Sequence, residues 1–349
     1  MGFRRWAPNG WIPVAPEYIR ATEGYKKAVQ EGTVTLRSVK SYYVGGTSVT
    51  MSGLPVLNRQ IVPAAAARAV DMNGSYIVGQ LYVQEYRLAE PRCPYPILLW
   101  HGGGMCGSQW EATPDGRDGW LWHFLRMGFD VLVSDGPERG RSPWLVRDGE
   151  RGDPPVYRSR EEAWSIFRIG EPGTYADKPA ARKPYGGQQF PVDAFDRFAK
   201  QFVPRWLGHM ELELSAYMAL VREAGPCIIV GHSQGGGYAL QLAQKCPELV
   251  RAVVAIEPTG MPDRADGAKA PQLFLWGDYI ARSEVWSSYR HAAQSFLSEL
   301  RQHVQASEID LPGLGIRGNS HFMMLDRNSK DIAGLVGEWL QHRIQIHAN

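Results

Sequence analysis

The stretch "IIVGHSQGGGYAL", residues 228–240, joins an apolar run to a Gly-His-Ser-Gln-Gly pentapeptide and then to a helix-forming segment. A buried strand that bends sharply into a helix has this form, with Ser233 at the apex. Gly231 and Gly235 leave room for the turn that lifts a serine side chain out at the strand's end. The helix start beneath it adds N–H donors and positive potential. Ser233 therefore reads as a nucleophile rather than a turn residue. Gly236 and Gly237 are expected to let the helix pack closely on the sheet.

Other short apolar runs recur on both sides of this stretch. They are "VGQLYVQEYRL" (78–88), "PILLW" (96–100), "DVLVS" (130–134), "CIIV" (227–230), "AVVAI" (252–256) and "QLFLW" (272–276). The later ones are continuously apolar, as strands buried on both faces of a parallel sheet are. Helical segments fall between them. "HMELELSAYMALVREAG" (209–225) precedes Cys227 and residues 234–246 follow Ser233. A last helix over about 329–346 places Ile332, Leu335, Val336, Trp339 and Leu340 on one face. Strands alternating with helices predict an α/β fold with a mostly parallel, doubly wound sheet.

Residues 143–208 break the rhythm with "RGDPPVYRSREE" and "GEPGTYADKPAARKPYGGQQFP". The segment reads as an insertion between the fourth strand and the helix before residue 227, forming a lid over the site. Trp164, Phe167, Phe190, Phe195, Phe198 and Trp206 predict that it is packed. The chain divides into an N-terminal extension (1–40), a core (41–142 and 209–349) and the lid (143–208).

A serine nucleophile needs a base, and histidine held by a carboxylate is the usual one. With the nucleophile on such an elbow, the base comes last in chain order. His321, in "LGIRGNSHFMMLDRN" before the final helix, fits. His291 and His303 read as surface residues, His342 and His347 lie on or beyond the last helix, and His232 points away from the serine or lines the pocket. Two carboxylates stand at strand ends. Glu257 follows "AVVAI" with no local cation, and its extra methylene suits reach from a neighbouring strand. Pro258 is expected to hold it extended. Asp278, one residue after Gly277, is the second candidate, better suited to turn hydrogen bonds. The oxyanion hole needs two N–H donors, assigned to Gln234 and to Gly103 in "HGGG" (101–104). His101 props that loop. Trp110, Trp164, Phe322 and Met323 are candidates to line the pocket or lid.

The net charge of +2, with acids and bases mixed, gives no reason to expect nucleic acid or an anionic membrane as a partner. The four cysteines form no C-x-x-C pair, and neither a metal site nor another cofactor is called for. No apolar run approaches a membrane span, and "MGFRRWAPNGW" lacks the apolar core of a signal peptide. The chain reads as cytoplasmic, or as periplasmic or secreted if a leader has been trimmed.

These residues together resemble the α/β-hydrolase superfamily. More narrowly, the chain is similar to a small group of bacterial esterases with a Ser-Glu-His triad whose Glu follows the sixth strand. "YYVGG", "HGGGMCGSQWEATPDGRDGW", "RGRS", "EAWSIFR", "QFPV", "VPRWLG", "GHSQGG", "IEP", "GDYI" and "GIRGNSHFMMLDRN" occur in the group's order over residues 41–341. One departure stands out: Gly103 and Gly104 occupy the place of that group's adjacent cysteine pair. The resemblance implies an α/β-hydrolase fold and hydrolysis of a carboxylic ester or lactone of apolar or aromatic character through an acyl-enzyme. It leaves open amide, carbamate or C–C bond hydrolysis, a perhydrolase-like side activity, and a non-catalytic ligand-binding role. The expected partner is the small-molecule substrate, with a homodimer as an open option.

Overall fold

The computed structural model describes residues 33–145 and 154–344, together with the backbone of two short strands, Arg4–Ala7 and Gly10–Pro13. Most of the N-terminal extension and residues 146–153 of the insertion lie outside the described residues.

One eight-stranded sheet organises the chain. Its strands are β1 (Leu36–Met51), β2 (Gly74–Leu88), β3 (Ile97–Trp100), β4 (Val131–Asp135), β5 (Cys227–His232), β6 (Val250–Ile256), β7 (Gln272–Trp276) and β8 (Ala306–Asp310). Their spatial order is β8-β7-β6-β5-β3-β4-β2-β1. The pairings from β8 through to β4 are parallel, whereas β2 runs antiparallel to both β4 and β1. The α-helices among the described residues are α1 (Ser108–Glu111), α2 (Trp120–Arg126), α3 (Arg160–Ile166), α4 (Phe195–Ala199), α5 (Met210–Ala224), α6 (Gln234–Lys245), α7 (Glu284–Leu300) and α8 (Ser329–Arg343).

The continuous apolar runs serve two cores at once, because successive side chains of a strand point to opposite faces. Ile97 and Leu99 join one core with Trp120, Phe124, Ile332 and Val336 from α2 and α8. Leu98 and Trp100 join the other with Leu214, Tyr217, Tyr238 and Phe296 from α5, α6 and α7. Two strands carry no such run. β1 is an edge strand whose residues are mostly exposed, and β8, "ASEID", is half-buried on the opposite edge. β1 begins at Leu36, so the last residues of the range set apart as an extension belong to the sheet.

The insertion lies between β4 and α5 and holds α3 and α4. Trp164, Phe167, Phe190, Phe195, Phe198 and Trp206 are all buried. Phe198 meets Phe190 and Phe322 at ring centroids 5.2 and 4.9 Å apart, so the segment shares the main core. All four cysteines are free thiols. Among the described residues no helix is long and apolar enough to cross a membrane.

Helix α6 sits against the turn after β6. A Cβ at Gly237 would run into the carbonyl oxygen of Thr259, whereas one at Gly334 in α8 would meet nothing. The same substitution should therefore have opposite signs. Gly237→Ala is expected to destabilise by roughly 3 kcal/mol or more through overpacking. Gly334→Ala should stabilise by about 0.5–1 kcal/mol, the helix-propensity gain. Thermal unfolding of the two variants beside wild type checks this; equal shifts would show that α6 is not held at that distance by steric contact.

Candidate active site

Ser233 joins β5 to α6 with φ 56° and ψ −118°. A non-glycine residue held there stores about 1–3 kcal/mol, so the surroundings must fix it. They do so through the next strand: Ser233 N–H donates to Ile256 O at 2.8 Å, and Thr259 N–H donates to Ser233 O at 3.1 Å. The side chain is half-buried, as are Gly103 and Gln234. The N–H groups of Gly103 and Gln234 have no hydrogen-bond partner among the described residues. Gly102 N–H, by contrast, is taken by Gln109 Oε1 at 3.1 Å.

Glu257 is the first residue beyond β6 and is fully buried. It is not extended, as its place before Pro258 suggested, but left-handed, with φ 42°. The partners of its carboxylate account for this. Gly277 N–H donates to Oε1 at 2.8 Å, Arg168 Nη2 donates to Oε1 at 2.5 Å, and His321 Nδ1 donates to Oε2 at 2.6 Å. The left-handed turn swings the side chain over the end of β7 to reach them, while Glu257 N–H still donates to Leu275 O at 2.9 Å.

Because a carboxylate only accepts, Nδ1 of His321 carries the hydrogen and Nε2 is left bare. Burial, then the nearby Arg168 and Arg158, push this imidazole's pKa well below its ordinary value. His321 is held on every side. Its N–H donates to Phe167 O at 3.0 Å, and its ring lies 5.6 Å from that of Phe167 and 4.1 Å from that of Trp286. His232 Nε2–H donates to His321 O at 3.0 Å, while His232 Nδ1 accepts from Gln109 at 3.3 Å. Five residues after His321, Asp326 accepts from the two residues before that histidine: Ser320 N–H (2.8 Å), Ser320 Oγ–H (2.7 Å) and Asn319 Nδ2 (2.9 Å). Burial raises the Asp326 carboxyl to about 7.

The structure thus joins Glu257 to His321 directly. It sets Ser233 beside them, one residue from His232, whose ring is 4.3 Å from that of His321. Among the described residues no hydrogen bond links Ser233 Oγ to His321. Such bonds often tighten only when substrate is present. Asp278 accepts locally from Tyr279 N–H at 2.7 Å and, across to the loop before His321, from Gly318 N–H at 2.9 Å. His101 accepts Gly136 N–H on Nε2 (2.8 Å), so its Nδ1–H donates to Gly102 O (2.9 Å). Burial, then Arg139, lowers its pKa to about 4, so it stays neutral and spans two loops.

Trp110, Trp164, Phe322 and Met323 do not line an opening: each is buried, with 1% exposure or less. Trp110 packs on Trp120 and His232, and Trp164 on Phe195 with its Nε1–H donated to Thr174. Phe322 packs edge-on against both Phe167 and His321, and Met323 lies in the core. Large apolar side chains here seal the site from behind. One residue at the site carried no mark in the sequence: Arg168. It lies in the insertion, is wholly buried, has φ 57°, and donates both to Glu257 and, through Nε, to Asp278 O at 2.8 Å. Its pairing spans 89 positions. The available signal was an apolar strand ending on a carboxylate with no cation of its own.

A family model described as the α/β hydrolase fold matches residues 215–311. A solved structure, "The Atomic Resolution Structure of a Novel Bacterial Esterase", is 32% identical with a TM-score of 0.76, covering 90% of this chain and 98% of that one. A curated protein of Fungal sp. (strain ATCC 74256), "Probable secreted lipase phiG", is 26% identical, covering 77% of this chain and 88% of its own length. On its sheet order, its elbow serine and this similarity over nine-tenths of its length, the chain belongs to the α/β-hydrolase superfamily, in its bacterial esterase-like group.

Proposed function

We propose that this protein is a serine hydrolase that cleaves a carboxylic ester or lactone through an acyl-enzyme. The observation that carries the reading is the buried Glu257–His321 hydrogen bond, which leaves Nε2 bare beside an elbow serine. Ser233 Oγ attacks the carbonyl carbon and its proton passes to His321 Nε2. The developing oxyanion is held by the N–H groups of Gly103 and Gln234. The alkoxide leaves with the proton from His321, and water, activated by the same nitrogen, then hydrolyses the acyl-serine. Glu257 orients the imidazole and stabilises the imidazolium while it lasts. Arg168 acts through Glu257 as a positioning residue. The esterase and lipase names of the relatives support the ester as substrate class.

The roles separate by mutation. A fluorophosphonate probe should label wild type and not Ser233→Ala. Glu257→Gln should lower kcat for p-nitrophenyl butyrate by about 10⁴-fold, as loss of a triad orienter does. Asp278→Asn should lower it far less; the reverse ranking would move the acid to Asp278.

The pH profile carries a second expectation. His321 must be neutral to accept the serine proton, and burial with Arg168 and Arg158 disfavours its charged form. The acid limb of kcat/KM should therefore fall below pH 6.5, the ordinary histidine value. Arg168→Met should move that limb to higher pH and lower kcat roughly tenfold or more, since the acid loses a charged donor. A limb that stays in place in the variant would reduce Arg168 to a packing role.

A further inference from the structure

Four guanidinium groups surround the candidate site, and three have carboxylate partners. Arg168 pairs with Glu257, Arg139 with Glu213, and Arg158 with Glu162. Arg205 has none: among the described residues its side chain makes no ion pair and no hydrogen bond. It is half-buried rather than free in solvent. Its backbone is pinned in the insertion, with Arg205 N–H donating to Val156 O at 3.1 Å and Val156 N–H donating to Arg205 O at 2.7 Å. Two residues earlier, Val203 N–H donates to Gly104 O at 3.0 Å, which clips this segment to the glycine loop.

The side chain then lies along that loop. Nη1 of Arg205 is 3.4 Å from where a Cβ of Gly103 would stand, and its Cδ is 3.9 Å from the corresponding point at Gly104. Gln234 fills the other side, its Oε1 3.1 Å from the same Gly103 point and 3.3 Å from Arg139 Nη2. The half-buried mouth of the site is thus Ser233, Gly103, Gln234 and an unpaired cation. The neighbouring carboxylates are already engaged. Burial, with Arg205 adding to it, pushes the Arg158 guanidinium below the ordinary arginine value. A half-buried guanidinium without a protein partner is free to pair with an incoming anion, as buried charges are paired.

We propose that Arg205 binds an anionic group of the substrate, so that the preferred substrates are esters bearing a carboxylate one short acyl chain from the scissile carbonyl, such as half-esters of short dicarboxylic acids. This rests on the reading of Ser233 as nucleophile and Gly103 as oxyanion donor. With the carbonyl oxygen at Gly103 N–H, the guanidinium beside that glycine meets a carboxylate two or three bonds along the acyl chain. Arginine's planar fork suits bidentate contact with such a group.

The test compares p-nitrophenyl hemisuccinate with p-nitrophenyl butyrate, four-carbon acyl groups that differ in the terminal carboxylate. Wild type should favour the hemisuccinate in kcat/KM. Arg205→Gln should cut the hemisuccinate-to-butyrate ratio roughly 10- to 100-fold, mainly through KM, the range for a hydrogen bond to a charged group. Arg205→Lys should keep part of the ratio and Arg205→Glu should invert it. A wild type indifferent to the carboxylate overturns the proposal. So does an Arg205→Gln variant that loses activity on both esters alike, which would place the cation on the oxyanion or in the fold. Fluorophosphonate labelling separates the two levels. A wild type that neither labels at Ser233 nor hydrolyses butyrate overturns the hydrolase reading itself, whereas labelling with an unchanged ester ratio in all three variants overturns only the assignment to Arg205.

Discussion

The carboxylate of Glu257 is the point on which the rest of the site depends. It is fully buried, and so are two of its partners, Arg168 and His321. A lone carboxylate in such a place would take up a proton or be driven out to water. Here it receives three donors, from Arg168, Gly277 and His321, one of them a permanent cation. Arg168 in turn belongs to the insertion. The segment after β4 therefore delivers the counterion of Glu257, and at Phe167 O the hydrogen bond that fixes the backbone of His321. The insertion is thus part of the site's own framework. Breaking a buried pair of this kind by removing one member generally costs about 3–5 kcal/mol, because the survivor is left charged and unpaired.

The same interaction governs the charge state of the imidazole. His321 feels a carboxylate through Nδ1, but it also feels Arg168 behind that carboxylate and Arg158 nearby, in a pocket closed by Phe167, Trp286 and Phe322. The pair Arg168–Glu257 is close to neutral overall. Glu257 thus aligns the ring without holding it protonated. His232 is kept neutral by burial, and it serves as a brace from its Nε2–H to the His321 carbonyl. Excluding water strengthens each of these interactions, since the local dielectric falls.

How much of this could be read in the sequence follows from the range of each interaction. The strands buried on both faces declared themselves as continuous apolar runs, because each residue serves one core or the other. β1 and β8 did not, because an edge strand buries too little to leave such a run. Ser233, Glu257 and His321 stood out as candidates because each stands at a chemical discontinuity: a serine flanked closely by glycines, a carboxylate ending an apolar strand, a histidine in a polar turn. Arg168 and Asp326 gave no such signal. One pairs across 89 positions, and the other is a single acid in a loop whose burial only the folded chain creates. The aromatic residues misled for a related reason. Composition marks a large apolar side chain as buried near the site, but not whether it faces the substrate or seals the back.

The backbone reading of Glu257 erred for a reason that explains the geometry of the whole site. β5 and β6 are adjacent, with Ile256 in register with His232. Ser233 and Glu257 are therefore the next residues on neighbouring strands, side by side, and both have positive φ. A carboxylate placed there is one strand nearer Ser233 than one on β7, and it must cross the end of β7 to meet His321. Three features make that crossing feasible. Glutamate supplies one more methylene than aspartate. The left-handed backbone aims it sideways rather than along the strand. Position 277 is a glycine, where a Cβ would stand 2.9 Å from Glu257 Oε1 and 3.0 Å from the carbonyls of Asn319 and Ser320. Proline at 258 is compatible because it disfavours the right-handed helical region for the preceding residue, which the acid does not use. The left-handed strain is offset by hydrogen bonds that form only in that conformation, so moving the acid to β6 fixes residue type, backbone and neighbour together.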